Sequence, residues 1–178
     1  MWVPSLLLVN DDSSPLPTGL IFSAFMLSMT FGGLVFGLLL PWFPGGLEGI
    51  ALFIACMAAL AMTIPMIAFD FQHLLGSFLL LEAMVGMFQS CAPLLRSKYY
   101  PEGIQSSIMS TFRLPLNLFV VMGTTLADRY ATKEAAGYQL VFGVIVILHL
   151  VAGGLLVGLM YVKQTSSSSS SEQHVKKE

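Results

Sequence analysis

Charge is the scarcest commodity in this sequence. Of 178 residues, 8 are Lys or Arg and 10 are Asp or Glu, 10% together, where a soluble domain carries about 25%. So few basic residues leave no field able to hold a nucleic acid. The net charge of −2 says little about any other partner. Cysteine is equally sparse. Cys56 and Cys91 lack a CxxC spacing, which leaves no disulfide framework, and both read as small, buried, free thiols inside apolar stretches. No histidine stands at metal spacing, and there is no phosphate loop, catalytic triad or zincin motif. Nothing in the sequence asks for a metal, a cofactor or enzymatic chemistry.

What is present is apolar. Hydrophobic residues make up 56% of the chain and the mean hydropathy is +0.80. No charged residue occurs between Asp12 and Glu48, within 49–69, or within 135–162. A helix needs roughly 20 apolar residues to cross a bilayer, and these runs supply them. Five spans are expected, at about 18–40, 47–69, 74–95, 104–126 and 137–162. Proline, glycine and charge gather in the breaks PWFPGG, DFQH, RSKYYPEG and ADRYATKEAAG. The runs are too long and too continuously apolar for a membrane barrel. The expected fold is therefore an all-α membrane protein with the lipid bilayer as its surroundings.

The ends of the chain differ from its middle. Residues 1–17 form a short N-terminal segment whose opening MWVPSLLLV is too short to span and lacks the basic flank of a signal peptide, so it reads as a remnant of a preceding helix. Residues 163–178 are a serine-rich polar stretch with nothing to bury, and disorder is expected there. Arg96 and Lys98 follow the third span, and Lys163, Lys176 and Lys177 follow the fifth. The positive-inside bias then places the C-terminus in the cytoplasm and the N-terminus outside. A plasma membrane is favoured over an internal one.

Polar residues inside the spans carry the functional reading. At 100° per residue, Glu82, Gly86, Gln89, Pro93 and Arg96 fall on one stripe of the third span. Ser106, Ser110, Arg113, Asn117 and Thr124 share a face of the fourth. A charge left alone in hydrocarbon costs at least about 2.5–3.5 kcal/mol, so both stripes must face each other or a wet cavity. Glu82 lies roughly 12 Å from the outer end of its helix and Arg113 roughly 13 Å from the inner end of its own, which makes their depths compatible with contact. Two readings stay open: a buried Glu82–Arg113 ion pair that sets helix orientation, or an arginine that binds an anion. Pro115, two residues after Arg113, removes a helical hydrogen bond and is expected to kink the fourth span. Gly33-x-x-x-Gly37 and Gly154-x-x-x-Gly158 are expected to allow close helix approach. His149, alone on the most apolar span, reads as a packed or interhelically bonded imidazole, and Asp70 with His73 as a solvated turn.

The stretch EAMVGMFQSCAPLLRSKYYPEGIQSSIMSTFRLPLNLFV, residues 82–120, resembles the molybdate-anion transporter family of the major facilitator superfamily. That family's pattern reads E-x-x-V-G-x-F, then R-S-x-Y-x-P-E, then S-x-I-M-x-x-F-R-x-P-L-N. PLPTGLIFSAFM, residues 15–26, is similar to another of its helix openings. The chain departs from the pattern at Phe88-Gln89-Ser90, where F-W-P is common, and in the loop PWFPGGLEG, which lacks basic residues. The resemblance implies a twelve-helix transporter of which this chain supplies helices eight to twelve. It also implies a small oxyanion such as molybdate as substrate, held by Arg113 with Asn117, Ser110 and Gln89 as neutral donors and Glu82 positioning the arginine. Five helices fall short of such a machine, so missing N-terminal helices or a self-associated copy are the expected partners. The rival expectation is a structural or assembly module that transports nothing.

Overall fold

In a computed structural model, which describes residues 6, 17–68, 70–130 and 135–175, the chain is helical throughout and the described residues contain no strand. Helix α1 spans Thr18–Leu39, α2 Gly46–Ile67, α3 Phe71–Tyr99, α4 Gln105–Tyr130 and α5 Ala135–Val175, with a 3-10 turn at Glu102–Ile104 before α4. Four of these, α1, α2, α3 and the 137–162 part of α5, are long and apolar enough to cross a membrane. Helix α4 has the length, but Arg113, Asn117 and its hydroxyl residues lower its hydropathy. This is a multi-pass helical membrane protein.

The helix boundaries follow local chemistry. Leu39 and Gly46 flank a turn that reverses the chain through two glycines with positive φ, Gly45 at 84° and Gly46 at 63°, values that a side chain strongly disfavours. Helix α3 runs beyond its expected 74–95 at both ends. It stops only at Tyr100, which is extended (φ −111°, ψ 131°) as the residue before Pro101 must be. Pro65, Pro93 and Pro115 each lie inside a helix that continues past them.

Helix α1 packs on α3, and α2 packs on both α3 and α5. One end of the bundle gathers Leu6, Ile21, Phe25, Met62, Leu74, Phe78, Tyr138 and Phe142. The rings of Phe25, Phe78 and Phe142 link α1, α3 and α5 there, with centroids 6.4 and 5.9 Å apart and near edge-to-face tilts. A second cluster, including Phe36, Ile50, Ile54, Met84, Met87 and Cys91, fills the opposite half. Met160 of α5 reaches Gly45 at that far end, so α1, α3 and α5 run in one direction and α2 in the other, as alternation requires.

Close approach occurs at glycines other than those expected. A Cβ at Gly32 would lie 1.9 Å from the Ala83 carbonyl oxygen, and one at Gly86 would lie 1.8 Å from that of Met29. These two residues, on α1 and α3, let the backbones touch. Beside them Ser28 Oγ donates to the Leu79 carbonyl at 2.7 Å. Gly37, Gly154 and Gly158 face open space, and Gly33 meets only Ser90 Oγ at 3.5 Å and the Gly86 carbonyl at 3.8 Å. One residue is 100° of rotation, so Gly32 belongs with Ile21, Phe25, Ser28 and Phe36 on the stripe facing α3, while Gly33 stands beside it.

One further expectation is corrected. Cys91 is buried, but Cys56 is exposed on the face of α2 turned away from its neighbours. Helix α5 runs past its apolar span to Val175. Extending a helix adds one hydrogen bond per residue fixed, without the nucleation cost that makes isolated helices unfavourable. Thr165 Oγ1 returns a bond to the Tyr161 carbonyl at 2.9 Å. Asp11, Asp12, Lys133, Glu134, Lys176 and Lys177, which bear on orientation, lie outside the described residues, as does the N-terminal segment 1–17 apart from Leu6 and Pro17.

Candidate functional site

Two polar stripes are present, on different helices. On α3, Glu82 is half-buried and Gln89 exposed, with Gln89 Nε2 directed at the Met29 sulfur of α1 at 3.6 Å. On α4, Ser110, Arg113 and Asn117 are all exposed and follow one another at helical spacing, so they line one face. The structure does not bring the two stripes together. Helix α4 packs lightly, and chiefly on α5 and the 3-10 turn, without an extensive contact to α3. Among the described residues the ion pairs are Asp70–His73 and Glu48–Lys98; Glu82 and Arg113 form none. The Asp70–His73 pair is an exposed turn contact, as expected, and His149 bonds within its own helix, with Nδ1 2.8 Å from the Ile145 carbonyl, rather than across to another.

The chain is similar to molybdate-anion transporters. It is 26% identical over 171 residues to the molybdate-anion transporter of Takifugu rubripes, covering 89% of this chain and 34% of the relative. To that of Xenopus laevis it is 26% identical over 174 residues, covering 94% of this chain and 37% of the relative. The chain thus spans about a third of the length of these curated relatives. No protein-family model matches it, and no solved structure does.

The structure also holds a polar constellation that sequence reasoning missed. Glu48, in the first turn of α2, is 1% exposed. Its Oε1 accepts from Lys98 Nζ at 2.6 Å and from the Tyr99 hydroxyl, both at the end of α3. The Lys98 ammonium also stands 5.8 Å from the Tyr99 ring centroid. The carboxylate sits at a helix N-terminus and the lysine at a helix C-terminus, so each charge complements its helix dipole. The signal was legible in principle: Glu48 breaks a long uncharged run just where α2 begins, and antiparallel α2 and α3 must place that start beside the end of α3. Such a buried carboxylate with a cation and a hydroxyl fastens two helices. It has no free donor to offer an anion, whereas Arg113 has.

Proposed function

We propose that this chain is part of an oxyanion transporter of the molybdate-anion type, the C-terminal helices of a twelve-helix protein that works by alternating access. The observation that carries this reading is Arg113: an exposed guanidinium about a third of the way along α4, unpaired with Glu82, on one face with Ser110 and Asn117. A guanidinium offers a planar fork of donors that fits oxyanion oxygens, and sites of this kind lie near the bilayer midplane between repeats. Asn117, Ser110 and Gln89 add neutral donors, and Glu82 compensates the arginine when no substrate is bound. The lysine and arginine bias supports a cytoplasmic C-terminus. In a complete transporter carrying these helices, Arg113→Lys is expected to keep the charge but cut molybdate uptake at least about tenfold, with surface expression unchanged. Uptake at the unmodified level would remove Arg113 from the site.

The rival reading is a membrane module that transports nothing, and the observation that fits it is the Glu48–Lys98–Tyr99 clasp, a buried polar contact that fastens two helices. Liposomes containing only the purified chain distinguish the two. Saturable molybdate uptake there refutes the module; its absence, together with uptake once the remaining helices are supplied, supports the partial transporter.

A further inference from the structure

Below the Phe78–Phe142 contact, α3 and α5 leave a space floored by α2. Ala51, Ala55 and Ala58 form the floor, Val85 and Phe88 line the α3 wall, and His149 lines the α5 wall. The cavity measures about 230 Å³, below the roughly 300–1,000 Å³ of sites for drug-sized ligands. Its alanine floor makes the room, since larger side chains at those positions would close it. His149 lies seven residues past Phe142, roughly 10 Å deeper along α5, and is the polar residue among the described lining residues.

The chemistry of that one polar group is set by its other hydrogen bond. A backbone carbonyl only accepts, so Nδ1 of His149 donates to the Ile145 oxygen at 2.8 Å. A neutral ring donating through Nδ1 keeps its lone pair on Nε2. The space is half-open, and the described lining offers water a single polar side chain, His149, where a well-held water has two to four polar partners. An anion finds no cation among the described lining residues. A lipid acyl chain fills space but offers Nε2 no donor. We propose that this cavity binds an uncharged, largely apolar small molecule with a single hydroxyl, which donates its hydrogen bond to His149 Nε2 while its hydrocarbon body lies on the alanine floor against Phe88.

The test uses the unmodified chain in lipid nanodiscs with ¹⁵N-labelled histidine, titrated with 2,6-diisopropylphenol and, separately, with its methyl ether, which lacks the donor and adds one methyl group. Saturable binding of the phenol, at least about tenfold tighter than the ether, is expected, with a shift of the His149 Nε2 resonance assigned by its loss in His149→Phe. In that variant the phenol and the ether should bind equally. Ala55→Leu should abolish saturable binding of both. Equal affinities of phenol and ether for the unmodified chain, an unmoved Nε2 resonance at saturation, or undiminished phenol binding in a folded Ala55→Leu variant would each overturn the proposal. The phenol–ether comparison needs no variant, so it decides even if Ala55→Leu does not fold.

Discussion

Helices α1 and α4 are of similar length, yet they are held in opposite ways. Helix α1 presses its backbone against α3 at Gly32 and Gly86, sends Ser28 to the Leu79 carbonyl, and buries Phe25 against Phe78. Helix α4 has no such seam. Its apolar residues Leu114, Leu118 and Val121 are exposed, and so are Arg113 and Asn117 on its polar face. Apolar side chains gain little from leaving lipid for a helix interface, so contact geometry and hydrogen bonds decide which helices associate in a membrane. Helix α1 has both at α3. Helix α4 leaves Arg113 and Asn117 exposed and packs lightly, so it contributes less to the stability of the bundle.

The largest effect should come from attacking the α1–α3 seam. Gly86→Leu would drive a side chain into the Met29 carbonyl and force the helices apart, a clash beyond the usual overpacking cost of about 1–3 kcal/mol. Loss of the cooperative thermal transition in detergent is expected. The matching change on α4, Gly123→Leu, has open space around it and should leave the transition in place; equal damage from both would erase the contrast. Next in size is the Glu48 clasp. Lys98→Met takes the Lys98 ammonium from a buried carboxylate that keeps the Tyr99 hydroxyl, and should cost about 2–3 kcal/mol, less than a fully buried pair, because Lys98 is 40% exposed. Glu48→Gln leaves a lysine that can turn to water, so about 1 kcal/mol is expected. Urea or thermal denaturation of the two variants sets the order, and a reversed order would mean that the lysine, not the carboxylate, is the group that burial penalises. The smallest effect on stability belongs to Arg113→Gln. With no ion pair to Glu82, its unfolding midpoint should move by less than about 0.5 kcal/mol, and a larger loss would show that the arginine is held by the fold.

Much of this was legible along the chain. The five helices follow from apolar runs punctuated by PWFPGG, DFQH and RSKYYPEG, because a bilayer allows few other ways to satisfy the backbone. The polar face of α4 follows from helical spacing alone. The fate of the Gly-x-x-x-Gly pairs did not follow, since such motifs identify faces able to approach closely without saying which neighbour is present.

Sequence by itself determined that this is a helical membrane protein, where its helices fall, and that Glu82, Gln89, Ser110, Arg113 and Asn117 lie on polar stripes, because length, hydropathy and a 100° repeat are local properties. Only the tertiary structure decided that Gly32 meets the backbone of α3 while Gly33 does not, that Glu48 is clasped by Lys98 and Tyr99 some fifty residues away, and that Glu82 and Arg113 stand apart. Those outcomes depend on helix rotation and on which helices become neighbours, and rotations of a single residue, too small to alter any local pattern, are enough to change them.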